Sequence, residues 1–397
     1  MQRRLVIGTI AIVVIGLCVW AYFAFFMGGS TVTTIPGGGA LPTAGQTTSP
    51  GGTGTPNLSG GSAVTVISPR LIKISVGPVA FGEAVATKPA TASSSAETTV
   101  TYIERQSGNI FSYNSGTKTI TRISNKTVPG IQSASWLPNG SLAFVRYLSG
   151  ADFSTINTYA LSASSTSGFF LPQNLADISV SATGILTLSS GVNGSSASVA
   201  RIDGTRSSEV FTTPLSSLRA SFAGKGTYLV FTKPSADLAG DAFLVDSAGR
   251  FSRIAGPQNG LVALASPLGK WILVSYTLGG AMQMQLVNVA NGSSLQLPVA
   301  TIADKCVWAS NDAAIYCGVP VNPSPDAVYP DDWYQGAVHF SDRIWKIDTA
   351  GRYAQLVLDF NKETDGDLDA AALAIDPLST MLVFVNKNDA SLWSYSL

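Results

Sequence analysis

The sequence predicts an all-β protein built from repeated four-stranded units, standing behind one N-terminal transmembrane helix and a disordered linker. Three observations carry that expectation. An uncharged apolar run opens the 397-residue chain. A stretch rich in Gly, Thr, Pro and Ser follows it. The remainder repeats a strand–turn–strand pattern about every 43 residues.

The run from Leu5 to Met27 carries no charge and is long enough to cross the ~30 Å hydrocarbon core as a helix. Arg3 and Arg4 precede it, and no Lys or Arg follows until Arg70. The excess of basic residues on one side orients a single-pass protein with its N-terminus in the cytoplasm and the rest outside. Trp20, Tyr22, Phe23, Phe25 and Phe26 crowd the far end, where an interfacial aromatic belt is expected. A cleaved signal peptide is the alternative, but its apolar region is normally ~7–15 residues with small residues at the cut. Bulky Leu17 before Cys18 speaks against a lipoprotein signal. Residues 1–27 are therefore expected to form a cytoplasmic tip and anchor. Residues 28–63 bury too little apolar surface to offset their ordering entropy and form the linker. At ~5–6 Å × √n it reaches roughly 30 Å on average. Residues 64–397 form the folded domain.

Trp136-Leu137-Pro138-Asn139-Gly140, followed by Leu142-Ala143-Phe144-Val145, reads as a strand, a tight turn and a second apolar strand. Degraded copies are anchored at Val180, Phe222, Ala265, Trp308 and Ile375. The first five anchors are evenly spaced, and the sixth is late by about 24 residues. The spacing matches the ~40–45-residue blade of a β-propeller. The delay marks an insertion within Gly318 to Ser341. Val100-Thr101-Tyr102-Ile103 supplies one more second strand, with its first strand within Leu71 to Val85, for seven blades in all; six or eight are the alternatives. The last blade ends at Leu397 without an outer strand, and Val64-Thr65-Val66-Ile67 is placed to supply it. Such closure removes two free sheet edges. A β-sandwich gives no reason for the regular period.

The template Trp136-Leu137-Pro138-Asn139-Gly140-Ser141-Leu142-Ala143-Phe144 resembles the repeat of TolB-like bacterial propellers, with Asn139 in place of the usual Asp. The resemblance covers about residues 64–397 and is weaker in the other blades. It implies a scaffold that binds proteins or peptides outside the cytoplasm, without naming a partner. The Pro330-Asp331-Asp332-Trp333-Tyr334 segment is similar to that of membrane-anchored bacterial propellers. The anchor departs from TolB itself, which is soluble.

Composition narrows the function. Lys+Arg and Asp+Glu balance at 24 each, so the basic footprint of a nucleic-acid binder is missing. A single His, His339, excludes a zinc site with two His ligands. The chain holds no nucleophile elbow, zincin motif or phosphate-binding loop, and the enzyme reading is the weaker one. Expected partners are the membrane, through the N-terminal helix, and proteins of the envelope or cell surface. The alternative is a glycan or small-molecule binder, or a hydrolase, using the propeller rim or channel.

Two segments stand out. The insertion carries Tyr329, Asp331, Asp332, Trp333, Tyr334 and His339; long loops on a rigid scaffold often carry function, and aromatic residues are favoured anchors. The competing reading is a loop folded over its own blade with Trp333 as a plug. The second segment spaces Asn361, Glu363, Asp365, Asp367 and Asp369 like the start of a calcium loop. Ala372 stands where such a loop ends in Glu, so a solvated acidic turn competes with calcium; no other cofactor is implied. In a four-stranded meander the loops after strands two and four leave on one face. The insertion follows strand two of its blade and the acidic segment follows strand four, so both are expected on one rim.

Cys306 and Cys317 are equidistant from Asn311-Asp312, two residues that tolerate the left-handed region of a turn. A hairpin centred there places the cysteines directly opposite each other, close enough for a disulfide if the pair is not hydrogen-bonded. The expected compartment preserves such bonds.

Overall fold

The template hairpin folds as its residues dictate. The Leu137 amide donates to Leu142 O at 2.9 Å and the Gly140 amide to Leu137 O at 2.8 Å. Asn139 Oδ1 accepts from the Ser141 amide at 3.1 Å. Gly140 sits at φ 71°, where the lack of a Cβ removes the steric penalty. The flanking strands Ile131–Trp136 and Leu142–Ser149 pair with Trp136 opposite Ala143. The buried Trp136 indole donates to Gly82 O of the neighbouring unit at 3.1 Å. Trp308 repeats the role toward Leu264 O at 3.4 Å. The tryptophan of the repeat is thus a strut between units.

The computed structural model describes residues 70–397 apart from 92–94, 125–127, 129, 165–167, 351–352 and 365. They belong to a unit spanning Val66–Leu397. Their strands form seven four-stranded sheets, so the chain is the seven-bladed propeller its period implies. Blade 1 spans residues 84–122, blade 2 131–170, blade 3 175–213, blade 4 218–259, blade 5 262–296 and blade 6 306–359. Blade 7 combines residues 370–396 with Leu71–Lys73. Each blade packs its apolar face on the next. Between blades 3 and 4 the layer includes Leu186, Leu188, Phe211, Leu218 and Val230.

The ring closes as expected, by pairing an N-terminal strand with the last one. The closing strand is Leu71–Lys73, with Leu71 opposite Tyr395 and Lys73 opposite Trp393. Arg70 lies over the Tyr395 ring at 4.8 Å. Val64–Ile67, the segment expected to close the ring, lies outside the described residues, as do the expected anchor (1–27) and linker (28–63). The first strand of blade 1 is Ala84–Lys88, later than the expected window, because residues 71–73 are taken up in closure. Among the described residues no helix is long and apolar enough to cross a membrane.

The cysteine pairing is as the turn symmetry requires. Cys306 lies opposite Cys317, the sulfurs are bonded, and the Cα atoms are 4.1 Å apart. The Ala309 amide donates to Ala314 O at 2.8 Å. Alternation along the hairpin then makes Cys306–Cys317 a narrow, non-hydrogen-bonded pair.

Candidate binding face

The insertion leaves blade 6 between Ala314–Pro320 and Asp342–Asp348, and the acidic segment follows Ala354–Asp359. The two meet, as strand order requires: the Trp333 indole donates to Asp369 Oδ2 at 3.0 Å. Trp333 sits on a short helix, Asp331–Gln335, that ends at Gly336 in the left-handed conformation.

Beneath Trp333 lies a fully buried ion cluster. Lys305 ends the turn Ala303–Lys305 between blades 5 and 6. Its ammonium pairs with Asp342 at 2.8 Å and with Asp369 and donates to Ala370 O at 3.0 Å. The Trp333 and Phe340 ring centroids each lie 5.0 Å from it. The carboxylates also accept backbone donors. Asp369 Oδ2 receives the Phe340 amide at 3.1 Å and Asp342 Oδ2 the Ala370 amide at 2.7 Å. Asp342 Oδ1 is buried without a partner. Burial pushes the Asp342 carboxyl up; Lys305 opposes this and Asp369 adds to it, leaving it at about 6. Two carboxylates facing one ammonium leave a buried excess of negative charge. Lys387, 5.0 Å from the Trp333 ring, is held below its ordinary value by burial, against the pull of Asp369.

A second set of bonds holds the sides of the insertion. Arg219 grips Asp304 with both terminal nitrogens, at 2.6 and 3.2 Å, and the Tyr334 hydroxyl donates to the same carboxylate at 2.7 Å. Burial first, then the Asp304 charge, push the Tyr334 hydroxyl above its ordinary value. Asp331 accepts the Ala236 amide of blade 4 at 3.0 Å. Asp332 accepts the Val328 amide at 2.7 Å. Thr277 of blade 5 donates to Tyr329 O at 2.8 Å. Gly260, at φ +65°, permits this seating: a Cβ there would lie 2.8 Å from Thr277 Oγ1 and 2.9 Å from Pro330 Cδ.

The residues singled out in the sequence therefore divide. Tyr329 and Trp333 are buried, in the plug arrangement. Asp331 and Asp332 are half-buried backbone acceptors, Tyr334 is 38% exposed with its hydroxyl bonded to Asp304, and His339 is exposed. The acidic segment does not converge on a point. Asn361 and Glu363 lie on the helix Phe360–Glu363. Asp367 accepts from Ser341 Oγ at 2.7 Å, Asp369 faces Lys305, and Asp365 lies outside the described residues. Among the described residues no group of three or more His, Cys, Asp or Glu is placed to hold a metal ion. Sequence reasoning missed Lys305, Asp342, Arg219 and Asp304. A signal existed for Lys305 alone, a lysine placed directly before the apolar strand Cys306–Trp308.

The opposite face, where the first hairpin of each blade turns, opens a cavity of about 930 Å³ at the channel mouth. Val180, Phe222, Leu264, Val307 and Leu373 line it from the inner strands of blades 3 to 7, with Lys225 at its edge.

No protein-family model matches this chain, and no curated protein matches it in sequence. Solved structures do align. An oligogalacturonate lyase in complex with manganese shares 8% identity at a TM-score of 0.53, over 81% of this chain and 98% of its own. Hydrazine synthase of Kuenenia stuttgartiensis shares 14% at 0.51, over 86% and 99%. TolB from Acinetobacter baumannii is also among them, at 10% and 0.43, over 79% of each chain. At these identities the likeness shows the fold alone. The chain is a seven-bladed β-propeller, and bacterial propellers including TolB are among the structures it is similar to.

Proposed function

We propose that this chain is a membrane-tethered, extracytoplasmic scaffold that binds a protein of the cell envelope or surface through the insertion-bearing face. The observation that carries the reading is the bracing of the insertion. Buried ion pairs hold it from below, and blades 4 and 5 hold it from the side through the Asp331–Ala236 and Thr277–Tyr329 bonds. A loop fixed in this way presents a preformed surface, which lowers the ordering entropy lost on binding. The charged groups Arg219, Asp304, Lys305, Asp342 and Asp369 are engaged with one another. These groups are therefore satisfied internally, and the face offers a partner shape and apolar contact beside the exposed carboxylates Asp237 and Asp326. The tether rests on the apolar run 5–27 and the basic pair before it. The propeller is expected to be digested by protease added to spheroplasts, whereas full protection until lysis would overturn the orientation.

A second reading is supported by the 930 Å³ cavity: a glycan or small molecule bound, or hydrolysed, at the channel mouth. Two experiments on the full-length chain separate the two. Saturable capture of a defined envelope protein, with a blank glycan array, supports the scaffold. A selective glycan signal without protein capture supports the alternative and overturns the scaffold.

A further inference from the structure

Three loops on the insertion-bearing face each end in a large apolar side chain that turns to solvent. Leu238 of blade 4 is 70% exposed, Leu278 of blade 5 is 67% exposed and Val328 of the insertion is 46% exposed. Single exposed apolar residues are ordinary, but a group of them on one face is not. These three are tied into one group by the bonds that seat the insertion. Ala236, two residues before Leu238, donates to Asp331. Thr277, next to Leu278, donates to Tyr329 O, next to Val328. Gly279 and Tyr329, the sequence neighbours of Leu278 and Val328, line a cavity of about 400 Å³ together with Gly280, Met282, Pro323 and Pro325. Glycine and proline leave the backbone close to the surface, and Met282 supplies a deformable apolar wall. The recess can therefore take an inserted side chain.

The charge of the loops around the recess is predominantly negative. The loops 233–238, 277–281 and 321–341 carry Asp237, Asp326, Asp331 and Asp332 against the single cation Lys233. Asp237 and Asp326 are exposed and stand beside the apolar tips. The chain as a whole is neutral, so this is a local excess. An apolar recess with a carboxylate rim fits an apolar anchor flanked by basic residues. The anchor contributes affinity, and the rim contributes register and rate of encounter.

We propose that the patch formed by Leu238, Leu278 and Val328 docks a basic polypeptide segment of the partner, with an apolar side chain entering the recess beside Tyr329. The inference rests on the scaffold reading and names the chemistry of its partner.

The test uses the full-length chain in phosphatidylcholine nanodiscs and three fluorescent peptides, alternating Leu with Lys, Leu with Glu, and Ser with Lys. Anisotropy is read against empty nanodiscs. The Leu–Lys peptide is expected to bind about tenfold more tightly than either of the others. L278D with V328D should lose about tenfold of that binding, and D237N with D326N should flatten its salt dependence. All four positions are exposed, and thermal melting confirms that the variants remain folded. Equal binding of the Leu–Glu peptide, or wild-type binding by L278D with V328D, would overturn the inference. So would a photo-crosslinker at position 278 that captures lipid instead of peptide, or a wild-type dimer that L278D dissolves. If these results overturn the patch while the chain still captures an envelope protein, the scaffold reading survives alone. If capture also fails, both fall.

Discussion

Blades 3 and 6 share one meander and solve its stability differently. Blade 3 turns from its second strand to its third at Gly191 and Gly194, which face each other. The layer against blade 4 is mainly apolar, with Leu186, Leu188 and Phe211, and a single carboxylate, Asp177, ties the blades by accepting the Ala220 amide at 3.0 Å. Blade 6 interrupts the same turn with residues 321–341, whose backbone has no ladder to join. Turn bonds such as Tyr334 to Pro330 O satisfy part of it, and carboxylates add to them: Asp369 accepts from Phe340 and Asp332 from Val328 of the insertion, while Asp331 accepts from Ala236 of blade 4 and Asp342 from Ala370 of blade 7. Two of them are fully buried, and Lys305 is there to balance their charge. The ionic core of blade 6 thus lies where its insertion is seated, with Asp369 holding both Lys305 and the Phe340 amide. Polar groups in a low-dielectric interior need partners, and an irregular loop supplies too few of its own.

The largest effect is expected from removing that balance. Lys305→Met leaves Asp342 and Asp369 buried without a cation and should cost about 3–5 kcal/mol at neutral pH in urea unfolding. Leu188→Ala in blade 3, which only deletes apolar volume, should cost about 2–4 kcal/mol. If Lys305→Met proves milder than Leu188→Ala, the cluster does not hold the insertion and the contrast between the blades fails.

The second effect concerns pH. Burial raises the Asp342 carboxyl to about 6 in the folded chain, against its ordinary value of 3.8. Above pH 6 the group is charged in both states and the folded form bears the full desolvation penalty. As pH falls through 6 the folded form takes up the proton first, so this group's contribution to stability improves down to pH 3.8. A difference of about 2 pKa units corresponds to roughly 3 kcal/mol at most. Asp342→Asn should remove that slope. The check is the difference between wild-type and variant unfolding midpoints from neutral to mildly acid pH, and parallel profiles would contradict it.

The smallest effect is expected at the Cys306–Cys317 hairpin, whose loop is short and already shaped by its turn. Replacing both cysteines by Ala should cost at most about 2–3 kcal/mol. Denatured, unreduced protein should show one reactive thiol, Cys18, and three would contradict the bond.

What the sequence disclosed and what it hid follow the same division. The repeat was legible because turns such as Pro138-Asn139-Gly140 and the apolar second strands are local signals with a fixed period. The cysteine pairing followed from turn symmetry, and the shared rim of Trp333 and Asp369 followed from strand order. The partners of Lys305 were not legible. Asp369 lies 64 residues away, and a lysine beside Asp304 reads as an ordinary surface pair. The sequence left open whether Trp333 binds or plugs, because an aromatic in a loop supports both readings until its neighbours are known. Seven blades implied a closing strand but could not choose its residues, since short apolar segments such as Leu71–Lys73 and Val64–Ile67 look alike.

The claim that the insertion is a fixed platform is open to one direct measurement, hydrogen exchange read by mass spectrometry on the full-length chain in nanodiscs. The amides of Val328 and Phe340 are bonded to Asp332 and Asp369, and that of Tyr334 to Pro330 O. Peptides covering 328–340 should therefore exchange as slowly as those covering Ile185–Gly191 of blade 3. Exchange of 328–340 at the rate of an open surface turn would show a loop that moves freely over the blade, and would contradict the account.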